Sequence, residues 1–522
     1  MNHENNGKKF YLDKFVEATS EEHRHQRIIE YLQQKMLAIM KKDSNTALPT
    51  KQVFKELGFD SIMVTELVKS FYYDLNMKIS LERIIRADNI KNLAVIIENN
   101  VILQDEMILK NKTPENLPKI KKKGQDDFHD ASLQVPQIHA VVTEQQQRKL
   151  KIEDKWIYDF ASCNYLGLDL RSEIMEVIPP ALKKWGVHPS WTRAVASPEI
   201  CEELENALAD LLGVYSVLVF PAVTLLHAGI LPILAGDDGV IFKDLVAHRS
   251  IYEACCLASS FGTTIIDFKH NDVADLEEKL AEYPLEQIKI IAIDGVYSMS
   301  GIFAPLPEYA RLAKTYNAYV YMDDAHGLGI VGENPTSEMP YGFKGNGIVK
   351  HFGLDYEKDR MIYVAGLSKS YSSFGAFITC IDEEIKNKFR SASTFIFSGP
   401  SPVASLASAI AGIKLNMIEG NKWREQVYKL TYKLVNEAKA IGFEVVNDNY
   451  FPIVGVVVGN TKQVVAACNI LWDYGILITP AIFPIVPFDR GLLRFSITAA
   501  NTEEEIDRAL ESLKGVYKEL NI

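Results

Sequence analysis

The chain has 522 residues, of which 47% are hydrophobic and 24% charged. These are ordinary values for a globular protein; they exclude a small disulfide scaffold and wholesale disorder, and at roughly 150 residues per domain they allow about three folding units. Lys and Arg number 56 against 68 Asp and Glu, a formal charge of -12, which argues against a nucleic-acid binder working by phosphate neutralisation and points to small molecules and proteins as partners. No apolar run reaches the roughly 18 residues a spanning helix needs, and the opening MNHENNGKKFYLDKF lacks the apolar stretch of a secretory signal. The six cysteines form no C-x-x-C pair, so the expectation is a cytoplasmic protein with no membrane span and no metal site.

Behind an N-terminal extension (1–20), residues 21–100 read as a small all-α bundle. Ile28, Ile29, Leu32, Met36, Leu37 and Met40 follow the stripe of an amphipathic helix; Met63, Leu67, Phe71 and Leu75 repeat every fourth residue in a second; Ile90, Leu93, Ile96 and Ile97 mark a third. The segment ELGFDSIMVTELVKSF places Ser61 in the first turn of the second helix with Asp60 as its N-cap, so the hydroxyl is expected to face solvent where unpaired N–H groups favour an anion. An Asp-Ser pair by itself is only a cap. The order of helix, long loop, L-G-F-D-S at a helix start and final helix resembles acyl and peptidyl carrier proteins. That resemblance implies a 4'-phosphopantetheine arm on Ser61, with Ile62 where the family usually has a small residue or leucine.

Residues 101–150 lose periodicity through Thr113, Pro114, Pro118, the lysines at 119 and 121–123, and Gln145–Gln147, and read as a solvated linker. From there strands such as YSVLVF, IKIIAID and AYVYMDD alternate with helical stretches, which predicts an α/β large domain (151–410) with a largely parallel sheet, followed by a smaller α+β domain (411–522). In such sheets the site lies at the carboxyl ends of the strands. There MDDAHGLG and VAGLSKS would offer Asp323 and His326, and Lys369, with DGVYSMSG ending a further apolar strand. Singly, each has a structural role open to it, as a surface lysine or a helix cap. Together an amine, a carboxylate and an imidazole are what pyridoxal 5'-phosphate requires: a covalent anchor, an anion at the pyridinium nitrogen and a hydrogen bond at the ring oxygen.

D-D-A-H-G and L-S-K in this order resemble the α-oxoamine synthases, fold-type I pyridoxal phosphate enzymes, and the likeness extends over most of 156–515. It implies that Lys369, Asp323 and His326 hold the cofactor, that His248 in VAHRS stacks on the ring and takes part in catalysis, and that DGVYSMSG supplies Asp294 and Ser298, the latter near the ring oxygen. It further implies that Arg494 in LLRFSITAAN grips the substrate α-carboxylate, with Asn164 of SCNYLG beside the substrate. A planar guanidinium suits both carboxylate oxygens. Four departures stand out: Gly366 where the family often has a phosphate-binding threonine, Ala222 and Val223 in place of a glycine-aromatic pair, Cys163 where the signature has asparagine, and Phe483 where coenzyme A users have arginine. Thr224, Ser368 and, from a neighbouring subunit, Ser398 are then the candidates for the cofactor phosphate.

The expected reaction is a decarboxylative Claisen condensation of an amino acid with an acyl thioester on the fused carrier, giving an α-aminoketone and carbon dioxide, in a homodimer served by a phosphopantetheinyl transferase and an acyl-loading enzyme. Lys, Asp and His alone leave open an aminotransferase or another lyase acting on a carrier-bound substrate, or a degenerate scaffold.

Overall fold

The computed structural model describes residues 21–98 apart from 44, 45, 47, 55, 60, 76–78, 80–83, 85 and 86, and residues 134–522 apart from 483, 484 and 488. The N-terminal extension, the cap expected at Asp60, the lysine run at 119–123 and Phe483 lie outside the described residues, as does the side chain of Ser61. The chain divides into two units, 1–134 and 135–522.

In the first unit, helices α1 (Glu21–Ile39) and α2 (Ser61–Leu75) and a helical stretch at 90–98 enclose one apolar core. Ile28, Leu32, Met36 and Leu37 from α1 meet Leu67, Phe71 and Leu75 from α2 and Ile90, Leu93 and Ile97 behind them, while Ile29, Met40, Met63 and Ile96 pack at its margin. These side chains lie on the helical stripes read from the sequence, and each buried one of this size contributes about 1.5–3 kcal/mol. The approach to α2 is fixed by Phe59, buried against Phe54 with ring centroids 6.0 Å apart. Gly58 before it sits at φ +78°, the left-handed region glycine enters without penalty.

The second unit is built on a seven-stranded sheet ordered β4-β10-β9-β8-β7-β5-β6, with β4 Ser216–Phe220, β5 Val240–Asp244, β6 Thr264–Phe268, β7 Lys289–Asp294, β8 Ala318–Asp323, β9 Met361–Gly366 and β10 Ala376–Cys380. Strands β6, β5, β7, β8 and β9 run parallel, and β10 is antiparallel to both its neighbours. Continuous apolar runs such as KIIAID and MIYVAG are buried at every position because helices cover both faces. Register places Asp294 beside Asp323 and Asp323 beside Val364, so the acidic tips of β7 and β8 emerge together.

Two expected boundaries move. Residues 142–150, read as linker, belong to this unit: β1 (Val142–Gln146) and β2 (Lys149–Ile152) pair antiparallel and continue through β3 (Lys155–Asp159) to β12 (Ile476–Leu477). All five residues of β1 are exposed, so its sequence carries no alternation to read. The division at 410/411 falls inside one 39-residue helix, α6 in the numbering used below (Val403–Ile441), which runs from the large sheet to the smaller β11-β14-β13 sheet (Ile453–Gly459, Gly491–Ser496, Thr479–Ala481). Helices α3 (Glu199–Leu212), α4 (Val223–Ala235) and α5 (Arg249–Ser260) precede α6, and α7 (Thr461–Asp473) and α8 (Glu503–Leu520) follow it.

Candidate active site

At the carboxyl ends of β7, β8 and β9 lies a cavity of about 250 Å³ lined by Lys369, Asp323, His326, His248, Asp294, Ser298, Ser368, Thr224, Ala222 and Val223. Ten of the lining residues come from five chain segments, and Asp323, His326 and Lys369, expected at the strand tips, are among them. The loop after β8 turns tightly enough to bring His326 back over Asp323, and it needs glycine at 327, where a Cβ would lie 2.1 Å from Asp324 Oδ1. That contact accounts for the last letter of D-D-A-H-G.

Charge in the cavity is set by burial and by neighbours. Burial alone would raise the pKa of Asp323, but the hydrogen bond from His227 and the nearby charge of Lys369 overcome it and hold the carboxyl below its ordinary value. Its neighbour Asp294 is driven the other way, well above the carboxylate range, by burial and by the negative charge of Asp323. Burial lowers Lys369, with Asp323 opposing, and lowers His326 well below its ordinary value, with the charges of Lys369 and Arg494 adding to it. The cavity therefore presents one fixed anion, one easily deprotonated amine and neutral imidazoles.

Each histidine is held by its Nδ1. His326 Nδ1 lies 2.8 Å from the buried Tyr165 hydroxyl, which leaves Nε2 for the cavity. His248 caps α5: its backbone N–H donates to Asp294 Oδ1 (3.1 Å), and its Nδ1 accepts from the Ser250 N–H (3.3 Å) and lies 2.7 Å from the Ser250 hydroxyl.

Arg494 stands behind this group, on β14. It is 7% exposed; Nη2 donates to Cys163 Sγ (2.8 Å) and Ser496 Oγ (3.3 Å), and Nε has no partner. Among the described residues no carboxylate pairs with it. Cys163, one of the departures, is thus the residue against which the guanidinium rests. Asn164 is half-buried in the adjoining turn, where its carbonyl accepts from the Gly167 N–H (2.8 Å), and it is not part of the cavity lining. Ser398 is also outside the lining in this chain; its exposed hydroxyl donates to the Thr394 carbonyl.

Pyridoxal phosphate fits this donor set. The ring end offers Asp323, His326 and Lys369; the other end offers the N-terminus of the 13-residue helix α4, whose cap residue Ala222 satisfies no backbone N–H with its side chain, together with the hydroxyls of Thr224 and Ser368. The departures there are coupled. A Cβ at Gly366 would lie 3.0 Å from Val223 Cγ2, so the absent threonine and the branched residue that replaces the aromatic share one space. Sequence reasoning missed Tyr165, Tyr321 and His227. The signal for His227 was a single imidazole within the otherwise apolar stretch VTLLHAGILPILA.

Comparison with known proteins agrees with this geometry. The family model for aminotransferase class I and II matches residues 157–513, and the phosphopantetheine attachment site model matches 30–96. Serine palmitoyltransferase of Sphingobacterium spiritivorum is 30% identical over 382 residues, covering 73% of this chain and 92% of that protein. The 8-amino-7-oxononanoate synthase of Thermosipho melanesiensis is 32% identical over 374 residues, covering 72% and 91%. A solved structure of serine palmitoyltransferase with pyridoxal phosphate superposes with a TM-score of 0.68 at 25% identity, over 82% of this chain and 99% of that one. The chain accordingly belongs to the class I and II aminotransferase family, and within it to the pyridoxal-phosphate-dependent α-oxoamine synthases, with a phosphopantetheine carrier domain in the same polypeptide.

Proposed function

We propose that the protein condenses an amino acid with an acyl group borne by its own carrier domain as a phosphopantetheine thioester on Ser61, releasing carbon dioxide and an α-aminoketone. What carries the reading is the presence in one polypeptide of a phosphopantetheine attachment region and an α-oxoamine synthase unit. A tethered acyl chain reaches the cavity at an effective concentration that a free thioester would have to match in solution.

Arg494 receives the α-carboxylate: it is a buried guanidinium that no carboxylate pairs with among the described residues, and a substrate carboxylate supplies the missing charge and a partner for Nε. Lys369, with its proton affinity lowered by burial, would anchor the cofactor and is the amine placed to accept the α-proton of the amino acid. When bound, pyridoxal phosphate supplies an electron sink for the charge left on the α-carbon. Asp323 would offer its negative charge to the pyridine nitrogen, and His326 would have Nε2 free for the ring oxygen. His248 covers the ring and polarises the thioester carbonyl. A bond forms between the α-carbon and the thioester carbonyl carbon, the C–S bond breaks and the arm's sulfur leaves as thiol with the proton taken from the α-carbon; the carboxylate then leaves as carbon dioxide, and the α-carbon takes up a proton from solvent in its place. Thr224, Ser368 and the α4 N-terminus take the phosphate.

The protein works as a homodimer in this reading. Val187, Val195 and Phe397 are 75%, 81% and 83% exposed, and their segments are tied together by His188 Nε2 to the Pro400 carbonyl (3.0 Å) and the Thr192 hydroxyl to Ile396. Such a patch is what a second copy would cover, and it carries Ser398 with it. The test is intact mass: with a phosphopantetheinyl transferase, coenzyme A and candidate acyl donors the chain should gain the arm and then the acyl group, and lose the acyl group with carbon dioxide release only when the right amino acid is added. Release of carbon dioxide without any acyl thioester would overturn the reading.

A further inference from the structure

Asp323 does not face the cavity unsupported. Its Oδ1 accepts from the Ala325 N–H (3.0 Å), and its Oδ2 meets Nε2 of His227 at 2.9 Å. The opposite nitrogen of that ring, Nδ1, meets the Tyr321 hydroxyl at 2.7 Å. His227 and Tyr321 are fully buried and neither lines the cavity, so neither touches what the cavity binds. The line of three is produced by two elements. Tyr321 and Asp323 lie two apart on β8 and share a face, and His227 comes down onto that face from α4, with the tyrosine and imidazole rings edge to face at 5.5 Å.

The protons along this line follow from what each group can do. Tyr321 is buried and its pKa lies well above the ordinary value, so the hydroxyl keeps its proton. The one acceptor recorded for it among the described residues is His227 Nδ1. A hydroxyl donating to Nδ1 leaves the ring proton on Nε2, which then donates to Asp323 Oδ2. The opposite tautomer would set an imidazole lone pair against a carboxylate. The surroundings are apolar, with Ala292, Val364 and Ala376 in the same cluster, so without the imidazole Oδ2 would be a charged acceptor lacking a partner.

We propose that Tyr321 and His227 are positioning residues: they form a relay, anchored in the apolar layer between α4 and the sheet, that fixes Asp323 as an oriented anion at the pyridine nitrogen of the cofactor. The proposal rests on the assignment of Asp323 given above. It differs from a packing role, which would affect stability alone, because a relay also governs whether the cofactor nitrogen holds a proton.

The experiment reconstitutes the full-length protein with pyridoxal phosphate labelled with nitrogen-15 in the ring and follows the ring resonance against pH, together with cofactor affinity. In wild type the nitrogen should be protonated at neutral pH. In His227→Leu it should lose that proton near neutral pH, and the dissociation constant should rise about ten- to hundredfold, as for loss of a buried charge-assisted hydrogen bond. His227→Gln, which restores an N–H donor, should recover most of both. Tyr321→Phe removes one oxygen and frees the tautomer, and should shift the titration in the same direction by less. A protonated nitrogen with unchanged titration in His227→Leu overturns the relay; if that variant does not fold, the same result in Tyr321→Phe overturns it. Asp323→Asn separates the two claims. If it abolishes nitrogen protonation while the relay variants do not, the relay alone fails; if it too leaves the nitrogen protonated, the assignment of Asp323 fails.

Discussion

The helical unit and the α/β unit arrange their chemistry in opposite ways. In the first, a local run of sequence contains everything: α2 begins at Ser61, and Leu67, Phe71 and Leu75 on the same helix hold it to the core. In the second, groups from residue 221 to residue 375 line one small cavity, and the charges of its titratable members are set by one another. A carrier needs only to display one hydroxyl on a stable helix. A carbanion chemistry needs several groups desolvated together, and only strand tips from distant parts of the chain deliver that.

The sharpest way to break the comparison is to remove one member of the shared cavity. Lys369→Ala should lose the visible absorbance of the covalently held cofactor and at least about 10²–10⁴-fold in turnover, the range for a positioned base, while the carrier still accepts its arm by mass. Turnover that survives would mean the cavity is not where the chemistry happens.

Tyr165→Phe is milder. It removes the partner of His326 Nδ1, and the expected result is about a tenfold fall in kcat, the scale of one buried hydrogen bond. The pH midpoint of the cofactor absorbance should move upward, because the ring oxygen loses a fixed donor. An unchanged midpoint would assign Tyr165 to packing.

Asp324 gives the smallest effect. It lies beside Asp323 yet accepts the Ile348 N–H and the Tyr363 hydroxyl, each at 2.9 Å, and burial pushes its pKa up to about 7. The unfolded value is about 4, so between these values the folded protein holds the proton more tightly and stability falls as pH rises. Asp324→Asn should flatten melting temperature against pH over that window. Parallel curves for variant and wild type would contradict it.

The same contrast explains what could be read from sequence. The helical unit was legible along its three apolar stripes because helical spacing encodes both helix and burial, whereas Leu48, Phe54, Phe59 and Ile79 join the same core from outside those stripes. In the α/β unit the place of Asp323, His326 and Lys369 in one cavity was legible because each follows an apolar strand that ends in polar residues. His227 was not, since one imidazole in an apolar helix has no spacing to mark it and its meaning depends on Tyr321 and Asp323, nearly a hundred residues away. The segment 142–150 was misread because an exposed edge strand of polar residues has the composition of a linker. The 410/411 boundary failed because α6 crosses it without a break. Asn164 followed the family signature, but its side chain does not reach the cavity lining.

The central claim, that the acyl group comes from the chain's own carrier, is tested most directly by carbon dioxide release from Ser61→Ala supplied with transferase, coenzyme A, acyl donor and amino acid. The account predicts no release from this protein alone, with cofactor absorbance intact. It also predicts recovery when acyl-loaded full-length Lys369→Ala is mixed in, at a rate that rises with the concentration of the loaded chain, because the lost contribution is proximity. Release by Ser61→Ala alone, from acyl coenzyme A and as fast as wild type, would contradict it.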